Sequence, residues 1–157
     1  MINKLFLLIS FIIYCNITFA SESEIKCLAD NLYFEARGES IEGQLAVALV
    51  TFHRVQSTYF PNNYCEVIWQ KGQFEWTNDG KLDYPKDIKT YQKIVSFSKD
   101  FYYNSKKYPD IVDKALFYHA NYVKPCWLPD SKLLSIIGDH LFYYVDPNGV
   151  SCWKKKK

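Results

Sequence analysis

The sequence predicts an α+β fold, mainly helical with a small β-hairpin element, behind an N-terminal leader. Three observations predict it. Residues 25–37 place their apolar side chains on one helical stripe. Residues 45–52, LAVALVTF, are almost wholly apolar, as in a helix buried on most sides. Residues 73–80, QFEWTNDG, alternate rings with polar groups and end in a turn signal, as a hairpin does.

The leader comes first. Lys4 precedes the apolar run LFLLISFIIY, and Thr18-Phe19-Ala20 precedes a polar stretch. A basic start, a short apolar core and small residues at the scissile bond describe a secretory signal peptide, cleaved after Ala20. The run is shorter than the ~20 residues a spanning helix needs, although an uncleaved anchor is the alternative. Tyr14 is too bulky to make Cys15 a lipoprotein site. The organisation read from this is a signal peptide at 1–20, one domain at 21–150 and a basic tail at 151–157. The expectation is an exported, periplasmic or secreted monomer with no stable membrane insertion after cleavage.

Cleavage leaves Cys27, Cys65, Cys126 and Cys152. An even count in an exported chain suggests disulfides, with three pairings open. Cys27–Cys65 with Cys126–Cys152 is the preferred set. Zinc is the competing use, but there is no C-x-x-C. His53, His119 and His140 lie far apart with no H-x-x-x-H pair, so no metal and no cofactor are expected. A metal-dependent wall amidase or endopeptidase would need all three histidines.

The leader's only charge is Lys4, so 18 of the 19 basic side chains remain against 17 acidic ones. Four of those 18 are the terminal lysines 154–157, which leaves the body net acidic. A nucleic-acid binder carries the opposite balance. The chain holds 13 tyrosines and 4 tryptophans. Such rings suit surfaces that are apolar on one face and polar at the edge, as sugars are.

The first helix, 25–37, carries Ile25, Leu28, Ala29, Leu32, Tyr33 and Ala36 on its stripe, and Gly38 stands where a helix end favours glycine. The second runs from Ile41 to Gln56, with Ser40 as N-cap. Residues 59–63 read as a loop and 65–70 as a short helical turn or loop. Pro85 opens a third helix to about Tyr103. Residues 115–123 read as strand or extended loop, and 136–144 close the fold.

Glu35 continues the buried stripe three residues after Leu32. It also sits in the last turn, where the negative end of the helix disfavours a carboxylate. Burial acts the same way, so the acid is expected to hold its proton near neutral pH, as general-acid catalysis requires. Glu39 lies past Gly38 and before the next helix, and reads as structural, paired with Arg37 or Arg54.

The stretch Asn31-Leu32-Tyr33-Phe34-Glu35-Ala36-Arg37-Gly38-Glu39 does not stand alone. Glu42-Gly43-Gln44-Leu45-Ala46-Val47-Ala48 and Arg54-Val55 follow it. Then come Phe60-Pro61, Cys65, Val67-Ile68, Gln70, Gln73-Phe74-Glu75-Trp76-Thr77 and Asp79-Gly80. Tyr118-His119-Ala120, Val123, Pro125, Trp127, Ile137-Gly138-Asp139-His140 and Phe142-Tyr143 complete the series. In order and spacing it resembles the spore-cortex-lytic cell wall hydrolase family (SleB type) over about residues 27–143. The resemblance implies a lysozyme-like α+β domain acting on peptidoglycan glycan strands. It implies cleavage between N-acetylmuramic acid and N-acetylglucosamine, generally as a lytic transglycosylase, with Glu35 as catalytic acid. No separate peptidoglycan-binding repeat accompanies it in this sequence. Cys126 between Pro125 and Trp127 departs from the pattern and is read as support for its pairing with Cys152.

Gln73, Trp76, Tyr118 and His119 are the candidates for substrate contact. Gln73 can bond an N-acetyl group in both directions. Trp76 and Tyr118 can stack on sugar rings, and His119 can orient Glu35 or the sugar. His140 is expected to satisfy a buried backbone group. A hydrolytic muramidase needs a second carboxylate, for which Glu75 and Asp79 on the expected 73–80 hairpin are the candidates. A non-catalytic carbohydrate-binding module is the remaining alternative.

Overall fold

Helix α1 spans residues 21–36 in a computed structural model that describes residues 21–150. Its buried stripe is the one the spacing predicts: Ile25, Leu28, Ala29, Leu32, Tyr33 and Ala36. The helix gives way to a turn at Arg37 and Gly38. Gly38 is not among the residues with positive φ, so it ends the helix without the left-handed cap that its position suggested. The expected leader at 1–20 and tail at 151–157 lie outside the described residues.

Helix α2 (Ile41–Gln56) has the predicted bounds. The Ser40 hydroxyl accepts from the Gly43 N–H at 3.1 Å and fixes its start. Ala46, Val47, Ala48, Leu49 and Val50 are all buried. An apolar centre with no polar face leaves this helix nowhere to go but the middle of the domain. Helix α3 (Tyr64–Trp69) is short and capped by Asn63. Helix α4 (Ile88–Asn104) starts later than Pro85, because the Asp87 carboxylate accepts from the Thr90 N–H at 3.0 Å and sets the N-cap there. It packs on α1 through an edge-to-face pair, Tyr33 with Tyr91, and through the Tyr91 hydroxyl, which donates to Asp30.

The 73–80 segment is not a hairpin. It is a loop with one 3-10 turn at Trp76–Asn78. Its backbone groups are taken locally: the Asn78 N–H donates to the Glu75 carbonyl, and the Thr77 hydroxyl to the Phe74 carbonyl. The alternation of rings was real, since Phe74 and Trp76 are buried and Glu75 is exposed. What it recorded was a loop pressing alternate rings into a helical core. The turn signal was also real, as Gly80 takes φ +71°.

The β element lies later in the chain. Strands β1 (Phe117–Ala120), β2 (Ser131–Ile137) and β3 (His140–Val145) form one antiparallel sheet in the order β1-β3-β2. A two-residue turn, Gly138-Asp139, joins β2 to β3, with Gly138 at φ +57°. Strand alternation splits β1 between two environments. Tyr118 faces the main helical core, while Phe117 and His119 face a smaller cluster with Tyr143 and Trp127. That split aims Tyr118 at α1.

One disulfide, Cys27–Cys65, ties α1 to the start of α3, as expected. Cys126 is also disulfide-bonded, and its expected partner, Cys152, lies outside the described residues. Among the described residues no helix is long and apolar enough to cross a membrane.

The Cys27–Cys65 bond spans a sequence separation of 38 residues. Closing a loop of that size stabilises the fold by about 4 kcal/mol through the unfolded chain. The double variant Cys27→Ser/Cys65→Ser is therefore expected to melt about 10–15 °C below the parent in a calorimetric scan. Unchanged melting would mean that the helices hold α1 against α3 without it.

Candidate active site

Glu35 is the penultimate residue of α1, and its side chain leaves the helix toward the sheet. The Tyr118 hydroxyl donates to Glu35 Oε2 at 2.9 Å. The Tyr118 ring is itself fixed, edge-on to His140 and tilted against Phe142, so the hydroxyl has little freedom. Burial pushes the Tyr118 phenol well above its usual range, with the Glu35 charge adding to it, so it acts as a neutral donor.

Behind this pair lies Arg54, from the last turn of α2. It is 4% exposed. Its Nε donates to the Leu116 carbonyl at 2.8 Å. The guanidinium lies over the rings of Phe60, Phe74 and Phe117 at 5.3–5.5 Å. Its Nη1 is buried with no hydrogen-bond partner. Burial pulls its pKa down to about 10, which leaves it charged at neutral pH.

Four influences set the Glu35 proton. Burial raises its pKa and is the largest. The Tyr118 hydrogen bond and the Arg54 charge lower it, and the Glu75 charge raises it. The net direction is upward. The helix-end argument from sequence gave the same direction, and burial is the cause that dominates.

A cavity of about 550 Å³ opens above Glu35. All seven residues singled out from sequence line it: Glu35, Gln73, Glu75, Trp76, Asp79, Tyr118 and His119. Their settings differ. Trp76 is 8% exposed, stacks on Phe34 at 4.8 Å and donates its indole N–H to Asn31. His119 stacks on Tyr143, with its ring nitrogens engaged by the Ala120 carbonyl and the Tyr143 hydroxyl. It does not orient Glu35; Tyr118 does that. Asp79 is gripped by Lys81, through its backbone N–H at 2.9 Å and its ammonium at 3.0 Å, which lowers the Asp79 pKa. Glu75 is exposed at the rim.

Glu39 does not pair with Arg37 or Arg54. Arg37 donates to the Tyr33 carbonyl and lies over the Tyr33 ring. Glu39 Oε1 instead stands 3.6 Å from His140 Nδ1, so His140 faces a carboxylate and not the expected backbone group. The reason is the β2–β3 turn, which drapes over Glu39: a Cβ on Gly138 would fall 2.0 Å from Glu39 Oε2. Burial lowers the His140 pKa, with Glu39 pulling the other way. His119 and His140 both line the cavity and His53 does not, and among the described residues no group of three or more His, Cys, Asp or Glu is arranged to hold a metal.

Sequence reasoning did not give Arg54 a place at the site. The one local signal is its place two residues after the apolar run LAVALVTF, and because an arginine is usually exposed its burial was not legible there.

The arrangement is a buried acid with one neutral donor, one buried cation and a cavity of sugar-binding size. Comparison with known proteins identifies the family. The profile of the cell wall hydrolase family matches residues 38–143, beginning just after Glu35. The spore cortex-lytic enzyme of Bacillus subtilis (strain 168) is 31% identical over 123 residues, which is 78% of this chain and 38% of that protein. The spore cortex-lytic enzyme of Oceanobacillus iheyensis is 28% identical over 123 residues, covering 78% of this chain and 42% of that protein. The chain thus spans about two fifths of the curated relatives' length. Among solved structures, the catalytic domain of the germination-specific lytic transglycosylase SleB from Bacillus anthracis superposes with a TM-score of 0.60 at 30% identity. That match covers 77% of this chain and 93% of that domain. The catalytic domain of the Bacillus cereus SleB protein superposes equally well, also with a TM-score of 0.60. The α+β architecture is lysozyme-like, as the resemblance implied, and the chain belongs to the cell wall hydrolase family.

Proposed function

We propose that this chain is an exported, monomeric peptidoglycan glycosidase of the lytic transglycosylase kind. It cleaves between N-acetylmuramic acid and N-acetylglucosamine, with Glu35 as its single general acid and base. The observation that carries this reading is Glu35 itself: an acid with a raised pKa, aimed into a cavity by one neutral donor.

Protonated Glu35 gives its proton to the glycosidic oxygen as the bond to the muramic acid anomeric carbon breaks. The N-acetylglucosamine leaves with a free 4-hydroxyl. The positive charge that develops on the sugar is matched by the new Glu35 carboxylate, which Tyr118 and Arg54 stabilise. The muramic acid C6 hydroxyl then attacks the anomeric carbon, and Glu35 takes its proton. The product is a 1,6-anhydro sugar, no water is consumed, and the acid is restored.

Hydrolysis is the second reading, because two further carboxylates line the same cavity. Asp79 is committed to Lys81, which leaves Glu75 as the freer base to activate water.

Mass spectrometry of the soluble fragments released from purified peptidoglycan separates the two. The oxidised wild-type chain is expected to release anhydro-muramyl ends. Glu35→Gln is expected to lose at least about 100-fold in rate, the usual worth of a general acid. Reducing muramic ends would instead establish hydrolysis. Cut peptides on intact glycan would end the glycosidase reading.

Tyr118→Phe removes a hydrogen bond that favours the ionised form of Glu35. The acid must be protonated to act, so activity falls as pH rises through its pKa. Loss of the bond raises that pKa, and the basic limb of the pH–rate profile should move to higher pH. The maximal rate should fall about 10- to 100-fold, as for a lost hydrogen bond to a charged group. A basic limb that stays in place or moves down would show that Tyr118 does not tune Glu35.

A further inference from the structure

A second cavity, of about 530 Å³, adjoins the one over Glu35. The two share a wall that includes Arg54, Gln73, Tyr118 and Trp127. Their charges differ. The catalytic cavity is lined by three carboxyl groups, Glu35, Glu75 and Asp79, and by two cations, Arg54 and Lys81, of which Lys81 holds Asp79. The second is lined by two cations, Arg54 and Lys71, and by no acidic residue.

Among the described residues no carboxylate stands within salt-bridge distance of Arg54 or of Lys71. For exposed Lys71 that is ordinary. For Arg54 it is not: a buried charge is costly unless it is paired, and a carbonyl and three ring faces compensate it only in part. Glu35 shares its surroundings, but burial keeps that acid toward its neutral form. Gln70, which lines the second cavity alone, also has its Oε1 buried without a partner. The second cavity therefore suits a ligand that brings a negative charge and an N–H donor together.

We propose that this second cavity is a carboxylate subsite, which takes the acid carried on the lactyl arm of a muramic acid residue while the glycan lies across Glu35. The inference rests on the peptidoglycan reading above. Muramic acid supplies both chemistries, an acetamido N–H and a pendant acid. That acid is either the lactyl carboxylate itself, on a strand without peptide, or a carboxylate of an attached stem peptide. Lys71 meets it at the mouth, and the Arg54 charge attracts it from beneath. A substrate seated this way has a fixed direction along the cleft, because N-acetylglucosamine carries no such arm.

Binding can be read apart from cleavage. Calorimetric titration of the Glu35→Gln chain would use three soluble tetrasaccharides of alternating N-acetylglucosamine and N-acetylmuramic acid. One keeps the free lactyl acid, one carries L-alanyl-D-glutamate on it, and one has the acid blocked as a methylamide. The expected result is about tenfold tighter binding of at least one acid form over the methylamide, the scale of one charge-assisted hydrogen bond. Gain with the free lactyl acid places the arm itself in the cavity, and gain only with the dipeptide places the stem there. Adding Lys71→Glu, an exposed change that should not disturb folding, is expected to bring the acid and methylamide forms within about twofold of each other. Equal binding of all three by the parent, no binding of any, or a full preference surviving Lys71→Glu would each overturn the proposal. Whether the wild-type chain cleaves glycan is read separately from its products, so a failed subsite and a failed glycosidase reading give different results.

Discussion

The hydrogen bond from the Tyr118 hydroxyl to Glu35 is the contact on which the site depends. It joins a helix to a sheet across a sequence separation of 83 residues. Much of the architecture can be read as the means of holding its two ends. The apolar stripe of α1 presses the helix into the core, so Glu35 has one direction to leave. The alternation of β1 sends Phe117 and His119 to one cluster and Tyr118 to the other. Phe142 and His140, from β3, pack the Tyr118 ring in place.

Around that bond the charges are set against one another. Burial favours the protonated acid, while Tyr118 and Arg54 favour the carboxylate. The net direction favours the protonated acid, and catalysis needs groups on both sides, because a proton must be given and then taken back in one turnover. The balance works against stability. An acid whose pKa is raised by folding contributes fully only below its unfolded value, and that contribution is lost as pH rises through the folded value. Arg54 is a second strained element, a buried cation with no carboxylate in salt-bridge distance among the described residues. Both strains face cavities, where a substrate can relieve them.

The helical half of the fold was legible in the sequence because its signals are local. The stripe of α1, the apolar centre of α2 and the Ser40 cap each act within a few residues. The 73–80 segment misled because rings at a period of two mark alternate burial, and a loop against a helix can produce that as well as a strand can. Strand β2 went unassigned, since Ser131–Ile137 is mostly exposed or half-buried and shows no clean alternation. The catalytic candidate was legible because Glu35 interrupts a stripe at a helix end. Its partner was not: Tyr118 read as a ring for stacking on sugar, and nothing local reveals that its hydroxyl reaches α1. Glu39 was paired with the wrong group for the same reason, as the turn at Gly138 that brings His140 to it is about 100 residues away in sequence.

The most direct test of this account is the titration of Glu35 itself, followed by the carboxyl carbon shift of a selectively 13C-labelled chain and assigned by its absence in Glu35→Gln. The account predicts a midpoint clearly above the ~4.3 of an unperturbed glutamate. A midpoint at or below that value would mean that Tyr118 and Arg54 outweigh burial. Glu35 would then be a carboxylate at working pH, and it could not be the acid that opens the glycosidic bond.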